Sequence, residues 1–262
     1  MEVEMDREML EKIMGQVSEE LNINDNKEKC SGDRDIGVTE FVGTAIGDTI
    51  GLVIASVDPL LTETMKLGKY KSIGIIGSRT GAGPQIMAVD DAVKATNTEV
   101  ISVELPRDTK GGAGHGVLIY IGAEDVSDAR RAVEIALDVL PKYFGDVYSN
   151  EAGHLEFQYT ARASYCLEKA FGTPIGKSFG MVIGAPAAIG TVLADVAVKA
   201  ANVEVVGYAS PAEGTSYSNE TILTFTGDSG AVRQSVRAAI EVGKKLLGSL
   251  DVEPKSTTTP YI

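Results

Sequence analysis

The apolar positions of this chain change period along its length, and the changes mark out its elements. Met5, Met9, Leu10, Ile13, Met14, Val17 and Leu21 recur at helical spacing, so a short amphipathic helix is predicted over residues 5–21. Residues 22–37 are polar and read as a linker. The pattern then turns strand-like over Phe41–Ile46 and Gly51–Val57. Asp58-Pro59 opens a helix, with Asp as N-cap and Pro in the first turn. A strand at Ser72–Gly77, a helix at Pro84–Thr96, strands at Glu99–Leu105 and Val117–Ile121, and a helix from about Val126 to Leu140 complete a first unit, residues 38–145.

A second unit, residues 146–250, follows in the same order. Its predicted elements are a helix near Arg162–Phe171 ending at Gly172, a strand at Phe179–Gly184 and a helix at Ala187–Ala201. The strand Val203–Ala209, the loop Ser210–Asn219, the strand Glu220–Phe225 and the helix Ala231–Leu247 come next. Residues 251–262 read as an extended tail.

The two units are copies. Ala92–Val100 returns as Ala197–Val205, with seven of nine positions identical. Pro106 and Pro211, and Gly122 and Gly227, keep the same spacing. A shorter echo sets Glu40-Phe41-x-x-Thr44-Ala45 against Glu156-Phe157-x-x-Thr160-Ala161. The period is far longer than a solenoid repeat and matches a small domain. Alternating strands and helices give an α/β (α+β) class, with each unit able to bury a core.

Charge narrows the partners. The net charge is −13, and no basic stripe exists to neutralise phosphates, so nucleic acid is not expected. Residues 1–37 hold 11 acidic and 5 basic side chains, an acidic N-terminal segment with no signal-peptide pattern. The apolar run Ile50–Val57 is too short to span a bilayer, so no membrane and a cytoplasmic location are expected. Cys30 and Cys166 form neither a disulfide framework nor a metal cluster by spacing.

Catalytic chemistry is hard to find. His115 and His154 are the only histidines and stand in no metal-ligand pattern. His115 either touches a ligand or bonds loop backbone. The loop Gly77-Ser-Arg-Thr-Gly-Ala-Gly83 lies between strand and helix, where a phosphate loop would sit. It lacks the Gly-Lys-Ser/Thr ending, and Ile86 replaces the third glycine of a dinucleotide fingerprint. Lys110-Gly-Gly-Ala-Gly-His-Gly116 suits a narrow opening lined by backbone, or an ordinary long hairpin loop. Asp90-Asp91 reads as a solvated helix face. Neither a metal nor a cofactor is expected, and an enzyme has no motif behind it.

Val198-Lys-Ala-Ala-Asn-Val-Glu-Val-Val-Gly-Tyr208, followed by Gly227-Asp-Ser-Gly-Ala-Val-Arg233, resembles the bacterial microcompartment shell domain. Residues 92–100 are the weaker copy. With Thr39–Ala55, Glu104–Gly116 and Gln158–Ser164, residues 38–250 are similar to the tandem-domain shell proteins of propanediol-utilisation microcompartments. The resemblance implies two circularly permuted shell domains per chain and a homotrimer shaped as a pseudohexamer. It implies tiling with other shell proteins through Lys94, Asn97, Lys199 and Asn202 at tile edges. It implies passage of small diol or glycerol-like metabolites past Arg79, Thr80, Gly81, Glu104, Arg107, Asp108, Gly112 and His115, and past Ser210, Glu213, Ser216 and Asn219. It also implies that Met9, Leu10, Ile13, Met14 and Val17 in the N-terminal segment dock the encapsulated enzyme core. Two readings stay open: a structural tile with a transport role, and a small-molecule-gated pore or binding module of another alcohol- or aldehyde-processing microcompartment.

Overall fold

The computed structural model describes residues 37–107 and 116–262. The expected helix at 5–21, with Met9, Leu10, Ile13, Met14 and Val17, lies outside the described residues. So do Asp108, Gly112 and His115.

The first repeat runs β1 (Phe41–Ala45), β2 (Thr49–Ile54), α1 (Pro59–Thr64), β3 (Ser72–Ser78), α2 (Gly83–Lys94), β4 (Glu99–Glu104), β5 (Val117–Ala123) and α3 (Val126–Tyr143). The second runs β6 (Val147–Asn150), β7 (Gly153–Thr160), α4 (Tyr165–Phe171), β8 (Ser178–Ala185), α5 (Ala187–Ala200), β9 (Val203–Ala209), β10 (Thr221–Gly227), α6 (Ser229–Gly248) and β11 (Lys255–Ser256). Each repeat has one antiparallel sheet, ordered β1-β2-β3-β5-β4 and β11-β6-β7-β8-β10-β9.

Local chemistry explains the element ends. The Asp58 side chain accepts from the Leu60 N–H at 2.8 Å and Pro59 fills the first turn of α1. Ser164 caps α4, and Gly172 ends it with a left-handed φ of 71°. The start of α5 is held by Asn219, whose Oδ1 accepts from the Ala187 N–H at 3.1 Å. Helices α3 and α6 are amphipathic: α3 turns Ala129, Ala132, Val133, Ala136 and Leu140 inward, and α6 turns Val232, Val236, Ala239 and Leu247 inward.

Strand pairing corrects the repeat alignment. Ile101 bulges out of β4 between Val100 and Ser102, and Val206 bulges out of β9 between Val205 and Gly207. The bulge is therefore duplicated. Beyond the following loop the spacing drops by one residue, because Ser72 faces Ala123 while Ser178 faces Gly227. The counterpart of Gly227 is Ala123, and its identity with Gly122 is coincidental. The Glu40/Glu156 echo also fails: Phe41 lies on the edge strand β1, and Phe157 lies on the interior strand β7.

One core serves both repeats. Ile86, Val89 and Ala92 of α2 cluster with Val100 of β4, with Cys166 and Leu167 of α4, and with Phe179 and Met181 of β8. A second cluster lies within the second repeat, around Leu155, Phe157, Leu193, Phe225 and Val236. The expected extended tail is not free. β11 pairs with β6, and the Tyr261 and Ile262 N–H groups donate to Asp146 Oδ2 at 2.8 and 3.0 Å.

Candidate functional site

Strand β7 carries His154, Glu156 and Gln158 on one face and Leu155, Phe157 and Tyr159 on the other. Such alternation ordinarily puts the polar face in water. Here the first repeat covers it, and Glu156 and Gln158 are buried. Gln158 donates from Nε2 to the Tyr143 carbonyl at 2.9 Å, and the Tyr261 hydroxyl donates to its Oε1 at 3.2 Å. Glu156 instead faces a cavity of about 60 Å³ between the repeats. Gly81, Ala82 and Gly83 form its wall on one side, with His154, Glu156 and Glu220 on the other. Met181, Ile183 and Ile222 supply apolar lining.

Gly83 makes this arrangement possible. A Cβ there would sit 1.8 Å from Glu156 Oε1, so only glycine lets the first turn of α2 approach the carboxylate. A helix start favours an anion. Burial opposes it, and the neighbouring Glu220 carboxylate adds to the opposition, so the Glu156 carboxyl is pushed up to about 8. Glu220 accepts from Ser218 Oγ at 2.7 Å and lies 3.8 Å from His154 Nε2. Burial lowers the His154 pKa, and Glu220 partly offsets that. The cavity thus holds two carboxyl groups and an imidazole in a largely buried wall, suited to contacting a small polar molecule. Among the described residues no group of three His, Cys, Asp or Glu is arranged to hold a metal ion.

Of the residues expected along a passage, Gly81 lines this cavity, and Leu105, next to Glu104, joins it. Thr80 donates to Asp48 Oδ2 at 3.2 Å, and its carbonyl accepts from Gln85 Nε2 at 3.1 Å. Arg79, Glu104 and Arg107 are exposed. On the second loop Glu213, Ser216 and Asn219 are exposed, and Ser210 closes a tight turn with Glu213. The structure adds Glu156 and Glu220, which sequence reading left out, and sets His154, considered there only as a histidine outside any metal pattern, beside them. The clue available was a strand whose polar face held Glu and Gln at alternate positions.

The two Lys-x-x-Asn copies stand in different surroundings. Lys94 and Asn97 line a groove of about 650 Å³, closed on one side by Arg162–Tyr165 of the second repeat. Lys94 Nζ lies 2.5 Å from Asp90 Oδ2. Asp90 is fully buried and accepts from the Ser164 N–H at 2.9 Å, while Asp91 accepts from the Tyr143 hydroxyl. The Asp90-Asp91 pair is therefore a junction between elements and not a solvated face. Lys199 and Asn202 are exposed, and Lys199 pairs with Asp195 at 2.7 Å.

The BMC domain matches the chain twice, over residues 72–152 and 178–255. The bacterial microcompartment shell protein PduB of Citrobacter freundii is 60% identical over 266 residues, covering 97% of this chain and 98% of that protein. The chain belongs to the BMC-domain family of microcompartment shell proteins. Its relatives carry the name of a shell component, and a structural rather than enzymatic part follows from that membership. A crystal structure described as a trimeric microcompartment shell protein PduB superposes with TM-score 0.83 at 54% identity, covering 86% of this chain and all of that one. EtuB from Clostridium kluyveri superposes equally well, at TM-score 0.83 and 57% identity over 86% of this chain and 99% of that one. Both matched stretches of the BMC domain begin at the start of a central strand, β3 or β8. No helix among the described residues is long and apolar enough to cross a membrane.

Proposed function

We propose that this chain is a structural tile of a propanediol- or glycerol-utilising microcompartment shell, acting as a homotrimer. The observation that carries the reading is a doubled shell fold combined with 60% identity to a shell protein over nearly the whole chain. Three chains of two repeats supply six similar sectors, a closed ring of the kind symmetric oligomers favour. The division into 38–145 and 146–250 is part of the proposal. The BMC matches leave β1, β2 and α1, and β7 with α4, outside them, which supports a permuted order. Tiling with other shell proteins uses Lys199 and Asn202, whose exposure suits an outer edge, together with Lys94 and Asn97.

Small polar metabolites cross the tile along the loops 77–85, 104–116 and 210–219. The cavity bearing Glu156 and Glu220 supports such a role, because weak polar contacts let a permeant enter and leave. The acidic segment 1–37 ties the shell to the enzyme core.

The test is the mass of the purified protein across a concentration series, with electron microscopy of the same samples. Particles of three chain masses that grow into flat sheets are expected. A monomer at every concentration would end the tile reading. Deleting residues 1–37 should leave trimers and sheets intact and release the core from the shell.

A further inference from the structure

Strand β7 places His154 on a wall shared by two cavities. On one side lies the cavity of about 60 Å³ that holds Glu156. On the other, a basin of about 360 Å³ opens beside the hairpin between β6 and β7, with Asn150, Pro186 and Asn219 in its lining. The segment entering β10 runs along the same wall: Asn219 lines the basin and Glu220 the inner cavity. The partition between the two spaces is thus an imidazole and a carboxylate. His154 Nε2 stands 3.8 Å from Glu220 Oε2, too far for a hydrogen bond and too near for a molecule to pass between them.

The backbone on both sides of this partition is pinned. Asn150 Oδ1 accepts from the Ala152 and Gly153 N–H groups at 2.9 and 3.2 Å, which fixes the hairpin turn. Gly153 packs so near the Ala185 carbonyl that a Cβ would sit 2.1 Å from its oxygen. On the other side Asn219 holds the start of α5, and Ser218 Oγ donates to Glu220 Oε1. Rotation of the His154 side chain is the change that widens or narrows the gap at least cost. Among the described residues, the charged groups facing His154 are Glu220, Glu156 two residues along its own strand, and Glu151 in the basin lining. Strands β6 and β8 set Ser149 and Ala185 beside it, and the first repeat offers Gly81–Gly83 and Leu105, none of which titrates. Burial holds the His154 pKa below the ordinary imidazole value, and Glu220 pulls the other way.

We propose that His154 and Glu220 form a proton-controlled gate between the inner cavity and the basin. With the imidazole uncharged, a hydroxyl-bearing molecule parts the pair, donating to the Glu220 carboxylate as it passes the ring. With the imidazole protonated, the pair becomes a salt bridge between largely buried charges. Charge-assisted contact draws the two groups to hydrogen-bond distance, and a neutral hydroxyl no longer displaces either of them. Acidification therefore shuts the gate and neutral pH opens it. Glu156 does not switch with it: its carboxyl is pushed up to about 8 and keeps its proton through the range in which His154 titrates. The gate rests on the reading of this cavity as part of a metabolite passage and adds its regulation.

The test adds glycerol to the full chain and follows it by nuclear magnetic resonance. The chain has two histidines, so a His154→Gln chain identifies the imidazole signal of His154. At about pH 7.5 glycerol should shift that signal, and at about pH 5.5, once the signal has titrated, the apparent Kd should be at least about tenfold weaker. The Met181 methyl group, on the inner cavity wall, gives a second signal. Read from it, His154→Gln and Glu220→Gln should each bind glycerol with Kd values that agree within about twofold between the two pH values. Circular dichroism checks the fold, and either folded variant decides the point alone. Equal affinity at both pH values in the parent, a His154 signal that does not titrate above about pH 5, or a folded variant that keeps the tenfold change overturns the gate and leaves the passage standing. Glycerol that moves neither signal at any pH overturns the gate together with the passage through this cavity, while the mass series decides the tile reading separately.

Discussion

Helices α1 and α4 share a cap, a length scale and a left-handed exit, and differ in what lies above them. The α4 segment meets the other repeat of its own chain, whereas among the described residues Leu60 and Leu61 of α1 stay exposed. The difference teaches that burial here belongs to a neighbour and not to an element. Duplication filled one copy of a junction and left the other exposed in the single chain.

Four measurements would break or sharpen this comparison. The largest effect is expected at the paired acids. Asp90→Ala removes the partner of Lys94 and of the Ser164 N–H in a buried site, and should cost about 3–5 kcal/mol of unfolding free energy. Asp195→Ala, at the exposed counterpart, should cost at most about 1 kcal/mol in a single chain. Equal losses in denaturant titrations would mean the two junctions are not in different states. Next comes Leu167→Ala, which should cost about 2–5 kcal/mol at any protein concentration. Leu61→Ala should instead produce a loss that appears where the protein is assembled and vanishes on dilution to single chains, since Leu61 is half exposed in one chain.

Smaller effects concern the polar interior. Removing Tyr261 and Ile262 strips two N–H donors from buried Asp146 and a hydroxyl from Gln158, an expected loss of about 1–3 kcal/mol in thermal unfolding. The last is read as a slope. The folded Glu156 carboxyl holds its proton up to about 8, so the folded state binds more protons than the unfolded chain above the ordinary glutamate range. Stability from this group is complete below that ordinary value and declines as pH rises toward 8, by up to about 1 kcal/mol per unit. Glu156→Gln should flatten that slope and raise stability at pH 8. An unchanged slope would remove Glu156 from the buried acids.

Much of the fold was legible because local signals and period agreed. Asp58-Pro59, Gly172 and the amphipathic stripes of α3 and α6 each named an element or its end. The duplicated Ala92–Val100 stretch gave the repeat, since it carries the end of α2, its exit turn and the start of β4. What stayed hidden depends on contacts between repeats. The polar face of β7 looks wet by its alternation, and only the cover of α2 makes Glu156 a buried cavity group. Asp90 looks like one of two surface acids until Ser164 arrives from the second repeat. The counterpart of Glu156 in β2 is Ile50, so the two repeats carry different chemistry at this position.

The single core running through both repeats has a historical consequence. Once α2 came to rely on Cys166 and Leu167 for its cover, a first repeat on its own would have presented a bare apolar helix to water. From that point losing the second half would strip α2 of its cover within the chain. The two copies were then free to diverge in their loops and cavity linings, each held in place by dependence on the other.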